Sequence, residues 1–262
     1  ISMYNYEYVT IVSYGIYCGV IKKYSGAAMQ LVTLNIWGGK CSGALLDWFC
    51  TQRETDIVCL QEVFSAQQSP VPNYYPGDCS DIFEKILKQL PNHQGVYCPL
   101  FPDGYGLATL VHKSITIRDC GSHWIYVAKD AHATGVYRSR CLQWLTLAFD
   151  EHTITVFNIH GLVDKAGKLD SDKRFLQLSN IQNFVATFDH PVILAGDFNV
   201  TRNTQFVRDL AKTHTDLVSK YRVQSTRPSI YTGTDRYADY IFLPHGFEES
   251  RFYVCSDEIS DH

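Results

Sequence analysis

Short apolar runs in this chain repeatedly end in residues that handle protons, metals or phosphate. Leu31-Val32-Thr33-Leu34 runs into Asn35, and Ile57-Val58-Cys59-Leu60 runs into Gln61-Glu62. Residues 154–159 run into His160, and Val192-Ile193-Leu194-Ala195 into Gly196-Asp197-Phe198-Asn199. The last apolar segment is followed by Ser260-Asp261-His262. Singly, each has an ordinary reading: Glu62 as a solvated charge, His160 as a hydrogen-bonded structural histidine, Asp197 and Asn199 as an Asx-turn. Asp239 is harder to set aside, because it lies in the aromatic run Tyr237-Ala238-Asp239-Tyr240-Ile241-Phe242. A carboxylate among buried neighbours needs a partner, and a histidine is a common one.

The chemistry this set suits is hydrolysis of a phosphate ester assisted by a hard cation. Mg²⁺ takes oxygen ligands, typically one or two carboxylates together with water and substrate phosphate oxygens. Glu62 and Asp261 can supply carboxylates and Asn35 an amide oxygen. A neutral imidazole can donate to a phosphoryl oxygen, or take a proton if a carboxylate fixes its tautomer. Other sites fit less well. There is no H-E-x-x-H for zinc, no G-x-S-x-G elbow for a serine triad, and no Walker A or G-x-G-x-x-G after a strand.

For residues so far apart to meet, the elements must converge at one edge, as loops do beyond the carboxyl ends of strands in open α/β sheets. Hydrophobic patterning predicts strands over 30–34, 56–61, 96–100, 105–112, 115–117, 124–128, 141–149, 153–159, 191–195, 237–243 and 251–255. Helices are predicted over 42–54, capped by Ser42, then 81–90 and 204–212. A longer helix opens at Asp170 or Ser171 and carries Phe175, Leu178, Ile181, Val185 and Phe188 at helical spacing. Residues 65–79, with three prolines, read as a loop. Consecutive strands mixed with strand–helix units point to a mixed sheet or two sheets with helices outside.

Composition sets the bounds. With 45% hydrophobic and 19% charged residues the chain can bury a large core, and a net charge of −4 excludes a broadly polybasic binder. No apolar run is long enough for a membrane helix. The nine cysteines are scattered without a C-x-x-C pair, which suits a reducing, cytoplasmic setting. Residues 1–28 hold six of the 17 tyrosines and an apolar stretch from Tyr8 to Ile21 whose lysines follow rather than precede it. That polarity is wrong for a secretory signal, although the apolar stretch leaves secretion open. The segment is read as a leader, with Met29 as a candidate start and residues 29–262 as one domain.

Taken in order, the blocks Leu34-Asn35-Ile36-Trp37, Leu60-Gln61-Glu62-Val63, Asn158-Ile159-His160-Gly161-Leu162, Gly196-Asp197-Phe198-Asn199, Ala238-Asp239-Tyr240-Ile241-Phe242 and Ser260-Asp261-His262 resemble the endonuclease/exonuclease/phosphatase superfamily. The resemblance implies a four-layer α/β sandwich, two mixed β-sheets face to face with helices on the outside. It implies Mg²⁺, with Mn²⁺ as an alternative, held by Glu62 with Asn35 and Asp261 beside it. It also implies that Asp197 and Asn199 act on the attacking water and the pentavalent phosphate. His262 resembles the catalytic histidine, Asp239 the carboxylate that holds it, and His160 a second phosphate-contacting histidine. Tyr105 and Arg140 match a tyrosine and an arginine that contact phosphate in members of the family. The strand that normally follows Ser-Asp-His is absent from the sequence, so a break before the last strand is expected. Trp37-Gly38-Gly39-Lys40 stands where the apurinic endonucleases carry Gly-Leu-Arg, so the chain looks most like uncharacterised bacterial members.

The expected substrate is a phosphodiester of nucleic acid, DNA or RNA, with a monomeric enzyme. Residues 202, 208, 212, 220, 222, 227 and 236 are basic, against Asp209, Asp216 and Asp235, and could track a nucleic-acid backbone. Phosphatase or phospholipase C-type hydrolysis of a phospholipid or phosphoinositide head group is the rival, with Trp37, Phe64, Tyr74 and Tyr75 as loop residues able to touch an interface. An inactive binding scaffold is the third reading, disfavoured because every acidic and imidazole position is filled.

Overall fold

The computed structural model of the protein describes residues 17–22, 28–67, 76–129, 138–149, 152–165, 167–255 and 257–262. Residues 1–16 and 23–27 of the expected leader lie outside them, as do 68–75 of the expected loop, including Tyr74 and Tyr75. Among these residues twelve strands form two sheets. In chain order they are β1 (Tyr17–Lys22), β2 (Ala28–Asn35), β3 (Ile57–Phe64), β4 (His93–Pro99), β5 (Tyr105–His112), β6 (Thr116–Tyr126), β7 (Arg140–Phe149), β8 (His152–His160), β9 (Val192–Asp197), β10 (His214–Asp216), β11 (Asp239–Pro244) and β12 (Glu248–Tyr253). The helices are α1 (Ser42–Phe49), α2 (Ile82–Gln89), α3 (Asp172–Val185), α4 (Gln205–Leu210) and α5 (Leu217–Lys220).

The first sheet has the order β12-β1-β2-β3-β5-β4 and the second β10-β11-β9-β8-β7-β6. Each contains one parallel pair, β2 with β3 and β8 with β9, inside an otherwise antiparallel sheet. Strands buried on both faces read as continuous apolar runs, which is how these four appear in the sequence. Alternation sorts their side chains. Leu31, Ile57 and Cys59 enter the core shared with the second sheet, while Val32, Leu34, Val58 and Leu60 pack outward with Leu45 and Phe49 of α1 and Ile82 and Ile86 of α2. Leu178 and Ile181 of α3 close the opposite side. The four-layer sandwich with two mixed sheets is therefore the fold.

Polar bridges pin the sheets together beneath the strand ends. Gln61 donates to the Asn158 side chain at 2.7 Å, and Asn158 donates to the carbonyls of Leu60 and Ala108 at 3.0 Å each. Thr109 donates to Gln143 across the same gap at 2.7 Å.

Several local expectations change. Cys41, not Ser42, is the N-cap of α1, without a side-chain cap bond, and the helix ends at Phe49 rather than 54 because the N–H groups of Thr51 and Gln52 switch to the i−3 carbonyls of Trp48 and Phe49. The strands predicted over 115–117 and 124–128 are one strand, β6, whose exposed polar centre hides its continuity and whose register slips at Ile117/Asp119 and Trp124/Tyr126. Phe175 is 38% exposed on α3, which instead buries Arg174 and Gln177 beside Leu178 and Ile181, and Phe188 lies past the helix end. Upstream of Met29, Tyr17–Lys22 is hydrogen-bonded between β2 and β12, which puts that part of the expected leader within the first sheet. Among the described residues no helix is long and apolar enough to cross a membrane.

Candidate active site

The topology decides where chemistry collects. Strands that run toward one edge of the sandwich end there in Asn35, His160 and Asp197, and β3 carries Glu62 two residues before its end at Phe64. Their antiparallel neighbours start at the same edge with Tyr105, Arg140 and Asp239. Register makes this concrete: Asn35 pairs with Gln61, His160 with Asp197, and Asp197 with Asp239. Glu62 sits at a bulge where the β3–β5 register shifts, with φ at 57°, so its side chain leaves the pleat and turns outward. A side chain at Gly161 would strike the backbone of Phe198, and one at Gly196 the backbone of Ile159, so glycine lets the ends of β8 and β9 close on each other.

These residues surround a cleft of about 340 Å³ lined by Glu62, Tyr105, Arg140, Asp197, Asn199, Asp261 and His262 from the expected set. Asn35, His160 and Asp239 lie directly behind that lining. His160 Nε2 is 3.7 Å from both Glu62 Oε1 and Asp197 Oδ2, and its Nδ1 is 3.1 Å from the Tyr105 hydroxyl. Asn35 donates to Glu62 at 3.0 Å and to Asp197 at 3.1 Å. His262 Nδ1 lies 2.8 Å from Asp239 Oδ1, and its Nε2 faces Asp197 Oδ2 at 3.6 Å. Asn199 donates its backbone N–H to Asp197 Oδ1 at 2.8 Å and its side-chain amide to Oδ2 at 3.2 Å. The structure thus brings every expected site residue into one constellation.

Asn35, expected to offer an amide oxygen, bonds on both sides of its amide. Its oxygen accepts the Trp37 N–H at 3.0 Å, so the nitrogen faces the site and steadies Glu62 and Asp197.

Burial sets the charge states. His160 is held well below its usual range by burial, then by Arg140 and His262, and is neutral. His262 is held down to about 3 by burial, then by Arg227. Asp239 is pushed up to about 6 by burial, against the pull of Arg227 and Lys168. Burial pushes Glu62 up to about 7; the Asn35 hydrogen bond opposes this, and the charges of Asp197 and Asp261 add to it.

A divalent cation fits this donor set. Asp261 Oδ1 is buried with no hydrogen-bond partner among the described residues, while its Oδ2 lies 3.5 Å from Arg227. The Glu62 side chain stays 28% exposed at the cleft, in contrast to His160 and Asp197 at 1%. Two carboxylates turned into one cleft, one of them with an oxygen that makes no hydrogen bond among the described residues, are hard oxygen donors of the kind a divalent cation takes.

Several contributors act through contacts that no sequence motif shows. Thr226 donates to Asp239 Oδ2 at 3.2 Å, and Arg227 donates to the Asp261 carbonyl at 3.0 Å. Ser225-Thr226-Arg227 is visible as a block, but nothing local ties it to residues 239 and 261. Ser260 donates to the Asn35 carbonyl at 2.6 Å, latching the last segment onto β2. Arg138 also lines the cleft. Of the basic residues over 202–236, Arg227 reaches the cleft, while Arg208 bonds Gln205, Lys212 pairs with Asp209 and Lys220 with Glu249.

A two-sheet sandwich that gathers carboxylates, imidazoles and arginines at its strand ends has the architecture of a phosphoesterase. The chain belongs to the Endonuclease/Exonuclease/phosphatase family, which matches residues 32–262. Its members are hydrolases of phosphoesters that generally use a divalent metal. Among solved structures, an endonuclease/exonuclease/phosphatase family protein from Bacteroides thetaiotaomicron is 17% identical over 91% of this chain and 96% of its own, with a TM-score of 0.66. A mannosyl-6-phosphatase from Bacteroides thetaiotaomicron VPI-5482 is 17% identical over 89% of this chain and 96% of its own, with a TM-score of 0.63. The D. rerio TDP2 complexed with a single-strand DNA product is 18% identical over 82% of this chain and 83% of its own, with a TM-score of 0.57. These likenesses are of fold. No curated protein matches the sequence significantly.

Proposed function

We propose that the protein is a Mg²⁺-dependent hydrolase of phosphodiester bonds, with nucleic acid as its substrate, working in the cytoplasm. The observation that carries the hydrolytic reading is the Asp239–His262 pair set against Asp197, with Glu62 and Asp261 opening into the same cleft. Glu62 and Asp261 would hold the metal. Bound there, Mg²⁺ supplies Lewis-acid polarisation of a phosphoryl oxygen and neutralises developing charge.

The chain's own residues do the rest. Asp197, fixed by Asn35 and Asn199, orients the attacking water. The neutral His262 donates Nδ1–H to Asp239, which leaves the Nε2 lone pair to take the water's proton, and the Asp239 carboxylate stabilises the imidazolium that forms. The Tyr105 hydroxyl donates to His160 Nδ1, so His160 carries its proton on Nε2 and can donate to a phosphoryl oxygen. Arg140 and Arg227 meet the negative charge of the pentavalent phosphate, whose ester P–O bond then breaks, the leaving oxygen taking a proton from water while His262 later returns its own to solvent.

Nucleic acid as substrate is supported by a lining that puts Trp37, with Lys40 4.5 Å from its ring, beside Arg138, Arg140 and Arg227. An aromatic face among cations is the pattern that stacks a base and holds its phosphate. A second reading, hydrolysis of a small phosphate ester or lipid head group, is favoured by the dispersal of the basic residues over 202–236 away from the cleft. The free thiols among the described cysteines support the cytoplasmic setting.

The test is a Mg²⁺-dependent hydrolysis panel of plasmid DNA, single-stranded RNA, sphingomyelin, a phosphoinositide and bis-p-nitrophenyl phosphate, with Glu62→Ala as control. Nicking or RNA cleavage lost in Glu62→Ala supports the first reading. Lipid or small-ester turnover without cleavage of nucleic acid replaces it with the second. Activity that persists in chelator overturns the metal.

A further inference from the structure

Among the described residues, five other than glycine hold φ in the left-handed region: Trp37, Glu62, Asn199, Asn203 and Arg222. Three of the five, Trp37, Glu62 and Asn199, line the cleft. Side chains disfavour that conformation, bulky ones most of all, so such a residue persists only where the surrounding structure holds it. Glu62 and Asn199 each have a task there: one offers a carboxylate to the cleft and the other fixes Asp197. Trp37 takes no part in the proton or metal chemistry.

Nor does packing call for a tryptophan at this position. Trp37 has φ at 51°, and the two residues that continue the turn, with φ at 65° and 73°, are both glycine. Among the described residues the indole joins neither hydrophobic core, and it is half-buried in the cleft wall. Its supports are polar. The Trp37 N–H donates to Asn35 Oδ1 at 3.0 Å, and its carbonyl accepts the Lys40 N–H at 3.3 Å. The Lys40 ammonium lies 4.5 Å from the centre of its ring. The same Asn35 amide donates to Glu62 and Asp197. One side chain therefore fixes the backbone that carries the indole relative to two carboxylates of the reaction.

We propose that Trp37 is a stacking platform for the nucleobase carried, through its sugar, by the scissile phosphate. It is a specificity-determining residue that favours nucleotide esters over sugar and lipid phosphates. The platform deepens the phosphoester reading and rests on it for the position of the scissile group. A large, flat ring held in place before binding stacks any base with little ordering cost, whatever the sequence.

The test is calorimetric binding of thymidine 5′-monophosphate, thymidine 3′-monophosphate and 2-deoxyribose 5-phosphate, in Ca²⁺, to the wild-type protein and to Trp37→Leu and Trp37→Phe. The expected result is that the tighter-binding nucleotide exceeds the sugar phosphate by at least about tenfold in affinity. Trp37→Leu should bring that ratio close to one, and Trp37→Phe should keep part of it. Equal affinities in the wild type, no binding of either nucleotide, or a ratio unchanged in Trp37→Leu overturns the platform. Thermal unfolding shows whether each variant is folded, and the wild-type ratio stands whether or not the variants are. A panel silent on every phosphoester, with the base preference intact, removes the hydrolytic reading and leaves the platform standing. Cleavage of nucleic acid without any base preference does the reverse.

Discussion

Asp239 and His262 are bound on several sides before any substrate arrives. Thr226 holds one carboxylate oxygen, His262 Nδ1 the other, and Ser260 accepts the His262 backbone N–H while anchoring to Asn35. Asp239→Asn keeps the shape but turns an amide N–H toward Nδ1, forcing the proton of His262 onto Nε2, where it can no longer accept one. We expect kcat to fall about 10³-fold with thermal unfolding nearly unchanged. His262→Ala should lose a similar amount, and the double variant little more, because the two act as one unit. A double-variant loss equal to the product of the single losses would separate them. Glu62 carries a different consequence. Its carboxylate is held up near 7 by burial and by Asp197 and Asp261, so metal-free Glu62→Gln should be more stable at pH 8, by about 1 kcal/mol, while losing metal-dependent turnover by about 10²–10³-fold. Melting curves with and without Mg²⁺ check this: the variant should melt higher without the metal and lower than wild type with it.

At the scale of elements, what could be read from sequence depended on which end of a strand carried the chemistry. Asn35, Glu62, His160 and Asp197 close apolar runs, and a run that stops at a polar residue is visible locally. Tyr105 and Arg140 open their strands, where an aromatic or an arginine looks like core or surface, so they came from the family resemblance alone. Arg138 and Thr226 act through partners far along the chain, and no local pattern encodes that. α3 shows the same limit. Its spacing predicts Phe175 inward, yet the first turns of the helix face the site loops, which need polar closure. Arg174 donates there to the carbonyls of Leu162, Leu169 and Asn199, and Gln177 accepts the Leu162 N–H. Those bonds tie the ends of β8 and β9 to the helix. Arg174→Met, close in length and without charge, should leave those carbonyls unpaired and cost about 3 kcal/mol, read by urea unfolding. It should also lower kcat, because Asn199 and Asp197 lose their support, whereas Phe175→Ala at the exposed position should change stability by less than about 1 kcal/mol.

For the whole molecule, metal binding, protonation and folding are linked through the same acidic edge. Without metal, Glu62 stays partly protonated near neutrality, whereas in the unfolded chain it titrates at its ordinary, lower value. The folded state therefore holds more protons between the two values, and that contribution to stability is lost as pH rises through about 7. Buried His93, His160, His214 and His262 work in the opposite sense. Each is neutral when folded and must charge on unfolding, so their contribution is lost as pH falls below the usual histidine range. Mg²⁺ acts on the first group. Below about 7 it must displace a proton from Glu62, so its affinity should weaken by up to about tenfold per pH unit, or roughly 1.4 kcal/mol of stabilisation at fixed concentration. The rise in melting temperature produced by a fixed Mg²⁺ concentration should therefore be larger at pH 8 than at pH 6, and the difference should vanish in Glu62→Gln. A rise of the same size at both pH values in the wild type would mean that Glu62 does not take part in holding the metal.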